Sequence, residues 1–243
     1  AMFSYYKNLI EQHNGLKVLG FMPNIPEASI ESRHLGLITA DEINNLREKI
    51  DLLAENVDKY IDLDSLLEIA SSAPAITYEK INPERIGHTK IAVASDKAFC
   101  FYYEDSLNLL RILGAELVPF SPLYDDALPV GIDGIILGGG YPELYSQQLS
   151  KNRSMIESIQ NAVNDKMPIY AECGGYMYLG STIEGVDMVD VIKANSSLTN
   201  KLQNFGYISL TANEDNLLCK KGKTINAHEF HYSKSDNEGD GFT

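Results

Sequence analysis

Residues 168–180 read PIYAECGGYMYLG, and the order of residue types along this stretch sets the architecture. Pro168 to Ala171 is a short apolar run of the kind buried on both faces in a parallel sheet. Gly174 and Gly175 allow a tight strand-to-helix turn, and Tyr176 to Leu179 suits the first turn of a helix packed back on that sheet. Between strand and helix stands Cys173. Most free cysteines are small buried hydrophobes. One that ends a parallel strand beside a helix N-terminus is placed as a nucleophile, because ligands of α/β proteins gather at the carboxyl edge. The helix N-terminus is expected to lower its pKa, and the Gly174 N–H is expected to face an oxyanion.

The same alternation extends on both sides. KIAVAS (90–95), ELVPF (116–120), DGIILGGG (133–140) and PIYAE (168–172) read as strands. DSLNLLRILGA, ended by Gly114, then PELYSQQL and NRSMIESIQNAVND read as helices. Strands alternating with helices predict an α/β domain with a mostly parallel sheet and helices on both faces. From about Val186 shorter strands are expected, FGYISLTA and KTINAHEFHYS among them. Upstream, GLKVLGFMP reads as a strand closed by Pro23. Thr39 and Glu42 form a T-x-x-E capping box opening a helix to about Val57, with Leu46, Ile50, Leu53 and Val57 as its apolar stripe. SLLEIASSA suggests a second helix after Asp64. The expected division is 1–72, a linker at 73–89 carrying Pro74 and Pro83, and 90–243.

Composition narrows the function. The 34 acidic and 20 basic residues give a formal charge of −14, and no basic stripe is present to neutralise nucleic-acid phosphates. No apolar run approaches the roughly 20 residues that span a membrane, and no signal peptide opens the sequence. Cys100, Cys173 and Cys219 form neither a CxxC pair nor a zinc-spaced Cys/His set, so no metal site is expected. A sparse, odd cysteine count suits a reducing cytoplasm.

A second glycine cluster, LGGGYPE (137–143), ends another buried strand. It is not GxGxxG, and no GxxxxGK[ST] occurs anywhere. Its glycines can let backbone N–H groups approach a substrate carbonyl closely, so Gly139 or Gly140 with Gly174 forms a candidate oxyanion cradle. A thiolate also needs a base. His228 and His231 are the candidates, while His13, His34 and His88 fall outside the regular α/β pattern. Strand alternation puts Ala227, Glu229 and His231 on one face and His228 with Phe230 on the other. A histidine merely satisfied by hydrogen bonds within a strand is an equally good reading of each.

VASDKAFCFYY, LGGGYPELY, AECGGYMYL and HEFHYS, in this order, closely resemble the cobyrinic acid a,c-diamide synthases. The resemblance implies a class I, triad-type glutamine amidotransferase domain of the cobyric acid synthase type, flavodoxin-like in fold, with Cys173 as nucleophile. It further implies glutamine and a corrinoid, cobyrinic acid, as substrates, amidated at the a and c acetates. A homodimer is one assembly compatible with it. KVLGFMPNIP and ESRHLGL resemble the end of the family's ATP-dependent amidoligase domain, related to dethiobiotin synthetase. The P-loop that holds ATP and Mg2+ there is not in this sequence, so a fragment binding neither is expected. The family's activating histidine sits in a Tyr-x-His motif beyond HEFHYS. His231 matches a different motif residue, and the expected base lies past residue 243. The chain alone is therefore expected to be nearly inactive. A related synthase acting on nickel-sirohydrochlorin and a non-catalytic binding module are the alternatives.

Overall fold

In the computed structural model, which describes residues 2–33, 36–79 and 82–243, the chain separates into two units, Ala1–Ile81 and Asn82–Thr243. His34 of the ESRHLGL motif lies outside the described residues.

The first unit holds helices α1 (Met2–Asn14), α2 (Leu46–Tyr60) and α3 (Leu63–Ser71), with a small ribbon of β1 (Ser32–Arg33) and β2 (Gly36–Leu37). Two expectations fail here. GLKVLGFMP forms no strand, and its one bridge joins Gly20 to Ile61. The Thr39–Glu42 box opens only a 3-10 turn, Ala40–Glu42, and α2 begins at Leu46. The reason is competition: Glu42 accepts from Thr39 Oγ1 at 2.6 Å but also receives both Arg33 guanidinium nitrogens at 2.8 and 2.9 Å. Its carboxylate is thereby drawn away from the backbone it would cap. Asp62 supplies a working cap instead, accepting from the Ser65 N–H at the start of α3. Ala28 is the single buried residue among those described in this unit, and Ile50 of the α2 stripe is 50% exposed.

The second unit carries the core. Strand β3 (Thr89–Ala94) is followed by the short β4 (Phe99–Phe101), helix α4 (Glu104–Leu113) and strand β5 (Ala115–Phe120). Next come β6 (Gly134–Leu137), β7 (Gly139–Gly140), α5 (Ser146–Lys151), α6 (Arg153–Asn164), β8 (Ile169–Ala171) and α7 (Gly174–Leu179). The main sheet has the order β5-β3-β6-β8, and all its pairings are parallel. In chain order this is 2-1-3-4, a doubly wound arrangement whose strand order reverses beside β3. Ala92, Ala94, Ile135 and Leu137 from the sheet pack with Met155 and Ile159 of α6 and with Met177 and Tyr178 of α7. Burial of this continuous apolar surface is what holds the loops at the sheet's carboxyl edge in fixed positions.

The remainder is antiparallel or mixed: β9 (Thr182–Ile183), β10 (Val186–Asp187), β11 (Asn195–Leu198), the hairpin β12 (Asn204–Thr211) with β13 (Thr224–His231), and β14 (Ser233–Ser235). Exposure along β13 alternates strictly, with Ala227, Glu229 and His231 half-buried and His228 and Phe230 exposed. That is the two-residue period of a strand with one covered face. Among the described residues, no helix is long and apolar enough to cross a membrane.

Candidate active site

Cys173 lies at the turn between β8 and α7 with φ 47° and ψ −107°, a conformation that costs a non-glycine residue about 1–3 kcal/mol. The surroundings over-determine it. The Glu172 N–H donates to the Leu137 carbonyl at 3.0 Å, and the Gly175 N–H donates to the Gly138 carbonyl at 3.0 Å and to that of Glu172 at 2.8 Å. The end of β6 thus grips both flanks of the cysteine. The result is an elbow that pushes the side chain out of the sheet edge, and Cys173 is exposed while Cys100 and Cys219 are half-buried.

The glycine loop after β6 is equally constrained. β7 pairs with β4, Phe99 opposite Gly140 and Phe101 opposite Gly139. The Tyr102 hydroxyl accepts from the Gly138 N–H at 2.8 Å and donates to the Ala94 carbonyl at 2.5 Å. Burial pushes this phenol up to about 12, so it stays neutral and keeps both roles. A side chain on Gly140 would meet the Ala98 carbonyl oxygen at 2.1 Å, which leaves glycine as the residue that fits.

The two glycine clusters meet at the thiol. A β-carbon on Gly139 would stand 3.5 Å from that of Cys173, and one on Gly174 would stand 3.2 Å from the Gly140 nitrogen. Gly139, Gly140 and Gly174 therefore form one surface beside Cys173, as an oxyanion cradle requires.

The thiol's electrostatics run against the expectation from sequence. Its pKa is raised above the ordinary value of about 9.0, first by desolvation. The Gly174 N–H opposes this, and the carboxylates of Glu143 and Glu172 add to it. Helix α7 has only six residues, so its dipole is weak against these effects. Alkylation of Cys173 by iodoacetamide should therefore still be gaining rate above pH 9, because the reactive thiolate forms late. A rate that levels off near pH 7, measured by mass spectrometry of the adduct, would contradict this.

His231 ends β13, and its Nδ1 lies 2.8 Å from the Ser233 carbonyl. A carbonyl only accepts, so Nδ1 carries the proton and Nε2 is left as an acceptor. Among the described residues, no hydrogen bond joins His231 to Cys173, and the hairpin belongs to a separate sheet. His228 is on the exposed face, edge-on to Phe205 and Tyr207. His13 lies in the first unit, and His88 is exposed just ahead of β3. Sequence reasoning left three residues around the site without roles: Glu143 and Glu172, whose charges act on the thiol, and Phe101, which lies against Gly139. All three stood in quoted motifs, but the place of Phe101 is set by the β4–β7 pairing, which nothing local announces.

A strained cysteine turned out of the edge of a parallel sheet beside two glycine turns defines an α/β domain with an exposed thiol at its carboxyl edge. The model of the CobB/CobQ-like glutamine amidotransferase domain matches residues 90–241, and the chain belongs to this family. The chain is 46% identical over 237 residues to the cobyrinate a,c-diamide synthase of Clostridium tetani, covering 95% of this chain and 53% of that protein. It is 43% identical over 237 residues to the enzyme of that name from Listeria innocua, covering 95% of this chain and 52% of the relative. The Methanosphaera stadtmanae protein of the same name is also 43% identical over 237 residues, with 96% and 52% covered. The chain thus spans about half the length of the curated relatives it matches.

Proposed function

We propose that this chain is the glutamine-hydrolysing part of an ATP-dependent amidotransferase that amidates the a and c acetate carboxylates of cobyrinic acid. The observation that carries the reading is the strained, exposed Cys173 set against the Gly139–Gly140 turn. A binding module gains nothing from holding a cysteine at that cost. The names of the relatives favour cobyrinate over another tetrapyrrole.

In this reading the Cys173 thiolate attacks the side-chain amide carbon of glutamine. The carbonyl oxygen becomes an oxyanion facing the backbone N–H groups of Gly174 and the glycine turn. The base that took the thiol proton returns it to the amide nitrogen, collapse then expels ammonia, and the glutamyl thioester left behind is hydrolysed by water to glutamate. His231, with Nε2 free to accept, is the candidate base within the chain. The ammonia serves the ligase half of the longer relatives, where ATP and Mg2+ would activate the acceptor. The glycines here do not fit a nucleotide phosphate. A β-carbon on Gly138 would meet the Tyr102 ring at 2.6 Å, so the loop is filled by protein, and no step of this domain is routed through ATP. A soluble cytoplasmic enzyme, monomeric or homodimeric, is part of the same proposal.

The test is competitive labelling. A chloroketone analogue of glutamine should modify Cys173 ahead of Cys100 and Cys219, and free glutamine should slow that reaction at least tenfold. Labelling spread evenly over the three thiols, with no protection by glutamine, would overturn the reading.

A further inference from the structure

Resting on the reading of Cys173 as the thiol that attacks glutamine, we propose that Glu172 determines specificity at this site by receiving the α-ammonium of the substrate. Tyr170 is the residue that positions it.

The spacing follows from the chain itself. Glu172 and Cys173 are joined by a trans peptide, which puts their Cα atoms about 3.8 Å apart. In glutamine, four bonds of about 1.5 Å separate the attacked amide carbon from the α-nitrogen, so the two lie about 5 Å apart in an extended chain. An amide carbon at the thiol therefore leaves the ammonium within reach of a glutamate on the adjacent residue. Glu172 and Cys173 are both exposed, so an incoming molecule meets them together.

The Glu172 carboxylate is held in place. Residues two apart on a strand share a face, so Tyr170 of the edge strand β8 stands beside it. The Tyr170 hydroxyl donates to Glu172 Oε1. Desolvation, and then the carboxylate itself, push the phenol's pKa up, so it stays protonated and keeps donating. Oε2 receives no hydrogen bond from the described residues, which leaves it open to a cation.

Glu143 is the other carboxylate that acts on the thiol. It belongs to the turn Pro142–Tyr145, which is pressed onto the elbow: a β-carbon on Gly174 would meet Pro142 Cδ at 2.8 Å. Glu143 is half-buried and its Oε1 is sealed from solvent, so Glu172 is the more accessible partner. A tyrosine–glutamate contact is ordinary on a strand face. Its place here is not, because the charge of Glu172 raises the thiol's pKa and so works against the nucleophile. A substrate cation accounts for it: the bound ammonium cancels that charge, and the thiolate forms with the substrate in place.

The experiment reacts Cys173 of the 243-residue chain with two chloroketones, the glutamine analogue and its counterpart lacking the α-amino group. The same thiol attacks both, so the ratio of their rates reads the ammonium contact. In the unmodified chain the amino-bearing reagent should react at least about tenfold faster, as a hydrogen bond to a charged group provides. In Glu172→Gln the two rates should come within about twofold of each other. The iodoacetamide rate at neutral pH should rise in the same variant, because a charge that holds the thiol protonated is gone. Opposite changes with two reagents exclude a folding defect. Tyr170→Phe, which keeps the Glu172 charge but releases its carboxylate, should lower the ratio about threefold. Glu143→Gln should keep it. If Glu172→Gln retains the full ratio while glutamine still protects, or if Glu143→Gln is the variant that loses it, the assignment to Glu172 is wrong although the glutamine reading stands. If the unmodified chain shows no glutamine protection, the glutamine reading fails and takes this assignment with it.

Discussion

Gly175→Ala should lower the unfolding free energy of the second unit by about 3 kcal/mol or more, at the upper end of what overpacking costs. A β-carbon at residue 175 would stand 2.2 Å from the Leu137 carbonyl oxygen and 2.7 Å from both the carbonyl carbon and the Cβ of Leu137. No side chain can swing aside, because the obstacle is the backbone of β6. That strand is paired on both sides, to β3 and to β8, so it cannot retreat without breaking a ladder. The Gly175 N–H would also lose its bonds to the Gly138 and Glu172 carbonyls. Gly185→Ala is the control. Gly185 sits with Glu184 in the two-residue turn joining β9 to β10, at φ 75°, with nothing within 4 Å of a new β-carbon. Its substitution should cost only the roughly 1 kcal/mol of the left-handed backbone. At about 2–4 °C per kcal/mol for a unit of this size, the two variants should melt several degrees apart. Equal melting temperatures would show that α7 can slide off β6, and the rigid elbow would be the wrong picture.

The parallel sheet and the elbow were legible because their signals are local. Four apolar runs separated by helical patterns dictate βαβ units, and AECGG announces its turn through the glycines alone. What stayed hidden was set by distant partners. KVLGFMP has the composition of a strand, yet it makes a single bridge to Ile61, since a strand needs a neighbour and composition does not supply one. The Thr39 box was a sound local signal overruled by Arg33. The sign of the Cys173 shift was misjudged for the same reason. The helix N-terminus is adjacent in sequence, whereas the glycine loop and the 3-10 turn Pro142–Tyr145 that bring Glu143 and crowd the thiol arrive from about thirty residues upstream, with Glu172 next door adding its charge. Phe101 shows the limit most clearly. Its ring lies against Gly139 only because β4 pairs with β7, an antiparallel contact outside the main sheet.

Cys173→Gly should make the protein more stable and chemically dead at once. The cysteine stands at φ 47° and ψ −107°, where an L-residue pays about 1–3 kcal/mol and glycine almost nothing. Glycine returns roughly 0.5–1 kcal/mol of that through its larger unfolded-state entropy. The net gain should be about 1 kcal/mol, the relieved strain less that entropy. Cys173→Ala separates the two effects: it removes the sulfur but keeps a β-carbon in the strained conformation, so it should be no more stable than the parent. Both variants should lose all chloroketone labelling at residue 173. In a longer protein that hydrolyses glutamine, both should lose at least about 10⁴-fold in rate, the usual loss when a nucleophile is removed. Urea unfolding of the three proteins reads the first half of the prediction. If the glycine variant is no more stable than the alanine variant, the backbone at Cys173 is not under strain. The conclusion would then change in kind: the cysteine would occupy a relaxed turn that any residue could fill, and its position at the sheet edge would no longer mark it as a nucleophile held there at a cost in stability.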